Sequence, residues 1–406
     1  MVFDNMNANY FEELLKKPTL FKDESKLDIN FIPEKLLHRE KELSLLSQLF
    51  LSILTNPNIL SRKVLISGKT GIGKTATAKC FGKMLEKTAI KMDVPIKVVH
   101  INCRKEHTSY KVLIRIIHSF DKKFPRRGYS PQDLLEMINT LLHRQKMHLV
   151  IVLDELSYLI NKGGDFIYSL TRLNDDYYNK SQHLSIIGIV RDLSSLNNLD
   201  VSTQSTLQRN IIHFDPYTKK QIFEILKYRA GISLKDNIIS DDIIEMISEI
   251  VQIHGDLRFG LDLMWRATKI AESQNLGQLT PECIRIGNND LVPLLKNDII
   301  EDMTKERLFF LLSIIKTMLN KNKTQIYVSE TTVQYNIICE SSGTKPRTYS
   351  QLWNYLQDFK RKDLISFKIL SEKIKGRRGI IEIPDISLSK FEKIVIKSLK
   401  IKGVQL

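Results

Sequence analysis

Residues Val64 to Thr75 read VLISGKTGIGKT, an apolar run ending in a glycine-rich loop with Lys74 and Thr75 at its close. The loop fits the pattern GxxxxGK[ST]. Its glycines let backbone N–H groups turn inward around phosphates, and the helix-forming stretch TATAKCFGKMLEK behind it points its positive end at them. Thr70, Gly71, Ile72, Gly73, Lys74, Thr75 and Ala76 are therefore candidate nucleotide contacts, with Lys74 reaching the β- and γ-phosphates and Thr75 the Mg²⁺. A plain glycine-rich turn is the alternative. It leaves the flanking strand and helix unexplained.

Working outward, LVIVLDE places Asp154 and Glu155 at the end of a second apolar run, eighty residues after Lys74. Asp154 there can hold Mg²⁺ through water, and Glu155 can orient and deprotonate an attacking water. Water as acceptor favours hydrolysis of ATP to ADP over phosphoryl transfer to a small molecule. Further β-branched runs begin at Ile96 (IKVVHI), Leu184 (LSIIGIV) and Ile211 (IIHF), with helix-period segments between them. Short continuous runs of this kind predict strands buried on both faces, hence a parallel sheet covered by helices.

The 406 residues suit two or three domains, and 42% hydrophobic residues supply their cores. A net charge of +15 favours a polyanionic partner, and the last quarter, residues 301–406, carries 20 Lys/Arg against 11 Asp/Glu. Cys80, Cys103, Cys283 and Cys339 are far apart, with no CxxC pair, and read as reduced thiols in a cytoplasmic, chromosome-associated protein. Neither the amino terminus nor LFFLLSIIKTML, interrupted by Lys316, reads as a signal or a membrane span.

After Tyr217 the strand signals stop. Helices are predicted near 218–230, 240–254 and 256–274, with Ser240 and Asp256 as N-caps and a fourth helix starting at Pro281. HGDLR puts Arg258 in a first turn, from which it can sense the γ-phosphate and close the helical unit over the nucleotide. From residue 303 the order helix, short strand, helix, helix, two strands is that of a winged helix. Lys345, Arg347, Tyr349, Ser350 and Gln351 open its recognition helix, where such side chains read base edges or take phosphates. Lys373, Lys375, Arg377 and Arg378 form a basic wing. A winged helix that docks protein is the competing reading. Between residues 107 and 142 two helices enclose a tip with Arg126 and Arg127, which suits phosphate contact or mere solvation.

Together these motifs resemble the archaeal replication initiators related to the origin-recognition complex and its cell-division-control partner, a clade of AAA+ ATPases. The resemblance runs from FIPEKLLHREKEL through the phosphate loop, HINCR, FPRRGYS, FDPYT and GDLRFGLDLMWRATKIAE. It implies an α/β fold: an AAA+ P-loop core with a parallel five-stranded sheet (31–216) behind an arm (1–30), an all-helical lid domain (217–298) and a C-terminal winged-helix domain (299–406). It further implies ATP or ADP with Mg²⁺ between core and lid, contacted also by Tyr217 and Arg229. Double-stranded origin DNA, a second initiator subunit and the minichromosome-maintenance helicase are the partners it implies. Two positions depart from the pattern, Arg191 where the family places a sensor Asn and Ser202 where it places an Arg. The expectation is an initiator acting as a nucleotide switch with slow hydrolysis; a regulator with little ATPase activity and a protein remodeller are the alternatives.

Overall fold

The computed structural model describes residues 18–161, 164–173, 182–321, 323, 325–362, 364–370, 378–383 and 388–404. Two compact units divide the chain between Pro281 and Glu282.

The first unit is built on the five expected strands: β1 (Lys63–Ser67), β2 (Ile96–Asn102), β3 (His148–Asp154), β4 (Leu184–Val190) and β5 (Ile211–His213). All are parallel, in the order β2-β3-β4-β1-β5. Alternation along each strand divides the core between two faces. Leu149, Ile151 and Leu153 of β3 join the cluster under helices Ser109–Phe120 and Pro131–Arg144, while Val150 and Val152 join Phe50 and Phe81 on the other face. Every residue of β3 and β4 is buried, which accounts for their unbroken apolar runs. Register sets Ser67 beside Val190 and Asn102 beside Asp154, so the carboxyl ends of β1, β3 and β4 form one rim.

The two helices between β2 and β3 stand where the sequence placed them, the second closed by a capping box between Ser130 and Asp133. Their tip is shaped by Phe124 stacked on Tyr129 and by Tyr110, whose hydroxyl donates to the Arg126 carbonyl at 3.0 Å. Arg126 and Arg127 lie exposed on it.

Three helices, Lys219–Ser233, Asp241–His254 and Leu257–Ser273, follow the sheet. Asp256 caps the third by accepting from the Arg258 N–H at 2.9 Å. Ser240 occupies the cap position of the second without a side-chain cap bond. The described part of the segment read as an arm is docked. Leu20, Phe21 and Leu27 are buried, and the N–H groups of Lys22 and Asp23 donate to the Ser233 carbonyl at 2.8 and 3.0 Å. Glu24 accepts from the Trp265 indole at 2.7 Å. Three apolar side chains across a short 3₁₀ turn carry no helical period, yet they suffice to bury the segment against these helices.

The second unit contains helices Pro281–Glu301, Lys305–Lys321, Val328–Ser341, Tyr349–Arg361 and Leu388–Ile401, with antiparallel strands β6 (Gln325–Tyr327), β7 (Ser366–Leu370) and β8 (Arg378–Glu382) in the order β6-β8-β7. This is a winged helix. Phe310, Tyr335, Phe359 and Phe391 lie at its centre, all below 2% exposure. The last helix, which contributes Phe391, Val395 and Leu399, was not anticipated from the sequence. No helix among the described residues is long and apolar enough to cross a membrane.

Candidate nucleotide-binding site

Several charged residues of the first unit gather at the rim formed by β1, β3 and β4. Gly68, Gly71 and Gly73 have φ of 146°, 75° and 93°, a region that favours glycine. The space is closed as well: a Cβ on Gly71 would lie 1.9 Å from Asp256 Oδ1, and one on Gly73 2.6 Å from the Tyr217 hydroxyl. Helix Lys74–Lys91 starts at Gly73 with no side-chain cap, which leaves its first N–H groups free for an anion. Lys74 is buried and donates to the carbonyls of Gly68, at 2.5 Å, and Lys69. Burial first, then the nearby Arg191 and Arg258 charges, push its ammonium down to about 8 against the opposing pull of Asp154 and Asp256. The Arg191 and Arg258 charges therefore lie close enough to disfavour protonation of Lys74.

Thr75 Oγ1 donates to Asp154 Oδ2 at 2.8 Å, a pair of hard oxygen ligands suited to Mg²⁺. His100 Nε2 meets the same carboxylate oxygen at 3.3 Å. Burial works against a charge on Asp154, but hydrogen bonds from His100 and Thr75 outweigh it and hold the carboxyl below its ordinary value. Glu155 follows with φ of 55°, a left-handed residue just past the end of the strand. The geometry fits a nucleoside polyphosphate with a divalent cation: a glycine cradle, an uncapped helix start, a lysine, and a hydroxyl-carboxylate pair.

Across the loop stands the third helix. Asp256 touches Gly71, and the Leu257 N–H donates to the Gly71 carbonyl at 3.3 Å, so Arg258 belongs to the turn that leans on the loop. Arg258 is exposed.

Arg39, Tyr217, His100 and Asp256 complete the arrangement, and of these only Tyr217 was singled out for the site. Arg39 is 4% exposed and stacks on Tyr217, its guanidinium 4.0 Å from the ring centre. It donates to the Ile72 carbonyl, the Asp215 carbonyl and the Tyr217 hydroxyl. A charged residue at that position reads as surface from spacing alone. Arg229 is employed elsewhere than on the loop: it is buried, donates to the carbonyls of Lys26 and Asp28 at 2.8 and 3.0 Å, and lies over Phe31. It thereby anchors the amino-terminal segment. Ser202 accepts from Arg172, a residue of helix Asp165–Arg172, at 2.7 Å.

In the winged helix, Lys345, Tyr349 and Ser350 are exposed at the start of Tyr349–Arg361. Arg347 is paired with Glu306 at 3.1 Å. Gln351 accepts from the Thr348 N–H at 3.2 Å, so a bidentate contact to adenine requires opening that capping box. Lys373, Lys375 and Arg377 lie outside the described residues, and Arg378 is the first residue of β8.

Models of three known families match successive parts of the chain: an AAA domain over residues 61–192, a Cdc6 AAA+ ATPase-type lid domain over 223–289, and the CDC6 C-terminal winged helix domain over 298–399. The chain is 30% identical over 383 residues to ORC1-type DNA replication protein 2 of Sulfurisphaera tokodaii, covering 92% of this chain and 91% of that one. Among solved structures, Cdc6p from Pyrobaculum aerophilum is similar at 26% identity with a TM-score of 0.61, over 95% of this chain and all (100%) of that one. The Aeropyrum pernix ORC1 protein, solved in complex with DNA, reaches a TM-score of 0.74 at 24% identity, over 94% and 98% of the two chains.

Proposed function

Because the chain belongs to the family of ORC1-type DNA replication proteins, we propose that it recognises origin duplex DNA and promotes helicase recruitment as an ATP/ADP switch with slow hydrolysis. The observation that carries this reading is the direct contact between the phosphate loop and the lid helix at Gly71, Asp256 and Leu257. A change in what the loop binds is transmitted there without an intermediary.

In the bound state Mg²⁺ and the triphosphate supply the electrophilic phosphorus and the charge that the protein must balance. Lys74 turns from the Gly68 and Lys69 carbonyls toward the phosphates. Thr75 and Asp154 hold the metal, with His100 keeping the carboxylate in place. Glu155 orients a water and accepts its proton. Arg258 draws the lid helix toward the terminal phosphate, while Arg39 and Tyr217 brace the loop from behind. Arg126 and Arg127 in the first unit are assigned to DNA, as are the start of helix Tyr349–Arg361 and the wing residues Lys373, Lys375, Arg377 and Arg378 in the second. The lid is taken as residues 217–298 and the DNA-binding unit as 299–406; a second initiator subunit and the minichromosome-maintenance helicase are its protein partners.

Lys74→Ala is the test of the site: the purified variant loses nucleotide binding, and normal affinity for ATP would remove the assignment. Single-turnover hydrolysis distinguishes a switch from a regulator without turnover. A slow rate cut sharply in Glu155→Gln supports the switch. No turnover above background in the unmodified protein supports the regulator, a reading favoured by Arg191 at the strand end.

A further inference from the structure

We infer that the outer face of helix Lys74–Lys91 is a further duplex-DNA contact, a stripe of lysines that takes backbone phosphates without reading sequence; the inference rests on the DNA-binding reading above. The helix turns its apolar side into the core, where Ala78, Phe81 and Leu85 pack with Phe50 and Ile66. Lys79, Lys83, Lys87 and Lys91 recur at four-residue intervals away from that side, the last three exposed. Successive lysines of such a series step about 6 Å along the axis and about 40° around it, so the four form one stripe about 18 Å long. One strand of a duplex presents about five phosphates over that length.

The charge of the stripe is not balanced by the protein. Glu86 is the only carboxylate of the helix, and it is engaged elsewhere, accepting from the Val98 N–H of edge strand β2 at 2.9 Å. No side chain of the four lysines has a hydrogen-bond or ion-pair partner among the described residues. Neighbouring like charges at this spacing repel, and only Lys91, in the last turn, suits the helix dipole. A polyanion laid along the stripe removes that repulsion. Ile90, 80% exposed on the same helix, brings no negative charge that would oppose a phosphate. The stripe is a contact separate from Arg126 and Arg127, because helices Ser109–Phe120 and Pro131–Arg144, which carry that tip, pack on the other face of the sheet.

The test titrates a labelled duplex with the full chain over a salt series, beside a triple variant Lys83→Gln, Lys87→Gln and Lys91→Gln. Loss of three phosphate contacts predicts a slope of log K against log salt that is smaller in magnitude by about 2 to 3, with affinity at low salt weakened by about tenfold or more. A second triple variant, Lys22→Gln, Lys220→Gln and Lys235→Gln, removes the same charge from other exposed positions and is expected to change the slope by less than about 1. Equal changes in the two variants mean that overall charge alone is at work and overturn the inference, as does an unchanged slope. Both variants are expected to bind ATP with Mg²⁺ and to unfold thermally as the unmodified protein does, which separates a lost contact from a lost fold. An unchanged slope together with lost binding to phosphatidylglycerol vesicles assigns the stripe to lipid headgroups and also overturns the inference. If the unmodified protein bound no duplex at all, the DNA-binding reading itself would fall, an outcome distinct from a slope that the stripe variant leaves unchanged.

Discussion

Arg39 and Ile72, 33 positions apart in the chain, are joined by two hydrogen bonds, from Nε at 3.1 Å and Nη2 at 2.7 Å to one carbonyl oxygen. The phosphate loop is thus clamped from outside by a residue that precedes the first strand. Arg39→Ala leaves the Ile72 and Asp215 carbonyls without this donor and removes the stack on Tyr217, at an expected cost of about 3 kcal/mol. Arg39→Lys, lacking the planar fork, recovers little of it. Denaturant unfolding measures the loss, and a change below about 0.5 kcal/mol would show that the clamp is dispensable.

Gly71 faces the lid. Its φ of 75° and the 1.9 Å approach of a Cβ to Asp256 Oδ1 mean that Gly71→Ala strains the loop and pushes the lid helix away. The predicted result is nucleotide affinity lowered by about an order of magnitude, from strain and displacement of about 1–3 kcal/mol, with the sheet intact by circular dichroism. Wild-type affinity in that variant would detach the lid from the loop.

A pH dependence follows from His148, fully buried at the start of β3, whose Nε2 pairs with Ser185 Oγ at 2.8 Å. Burial, reinforced by His183, pushes its imidazole down to about 4, while the unfolded chain keeps the ordinary value near 6.5. Above about pH 6.5 the ring is neutral in both states and stability is unaffected. As pH falls from 6.5 toward 4 the unfolded chain takes up a proton that the folded one refuses, and stability declines by roughly 2–3 kcal/mol. Unfolding free energies of His148→Asn measured across this window are expected to fall less steeply than those of the unmodified protein, and parallel curves would exclude His148.

Duplex DNA provides the fourth prediction. If the exposed Arg126 and Arg127 meet phosphates, changing both to Ala lowers the magnitude of the slope of log K against log salt by about 2, whatever the sequence of the duplex. Fluorescence anisotropy over a salt series gives the slope. An unaltered slope removes the tip from the interface, and would leave DNA to the winged helix.

The core was readable because its strands are unbroken β-branched runs, and a buried parallel sheet requires such runs. The loop was readable because the chemistry fixes the spacing of Gly68, Gly73, Lys74 and Thr75. Most of what escaped reading had no period or spacing to announce it. Leu20 and Phe21 ahead of a short turn and Leu27 at its end bury a segment, and Arg39 acts by reaching three carbonyl and hydroxyl oxygens brought near only by the fold. His100 reads as an ordinary strand residue until register sets β2 beside β3 and its ring meets Asp154. The closing helix Leu388–Ile401 did leave a signal, Phe391, Val395 and Leu399 at four-residue intervals, hidden by its lysines.

The seven residues of β3 and the seven of β4 are buried throughout, yet the charged groups Asp154, Glu155 and Arg191 stand at or just past the strand ends. Sequence drift in a lineage therefore acts on two separable layers. The strand interiors are held by packing and tolerate little, whereas the exposed position just past β4 lies outside that constraint.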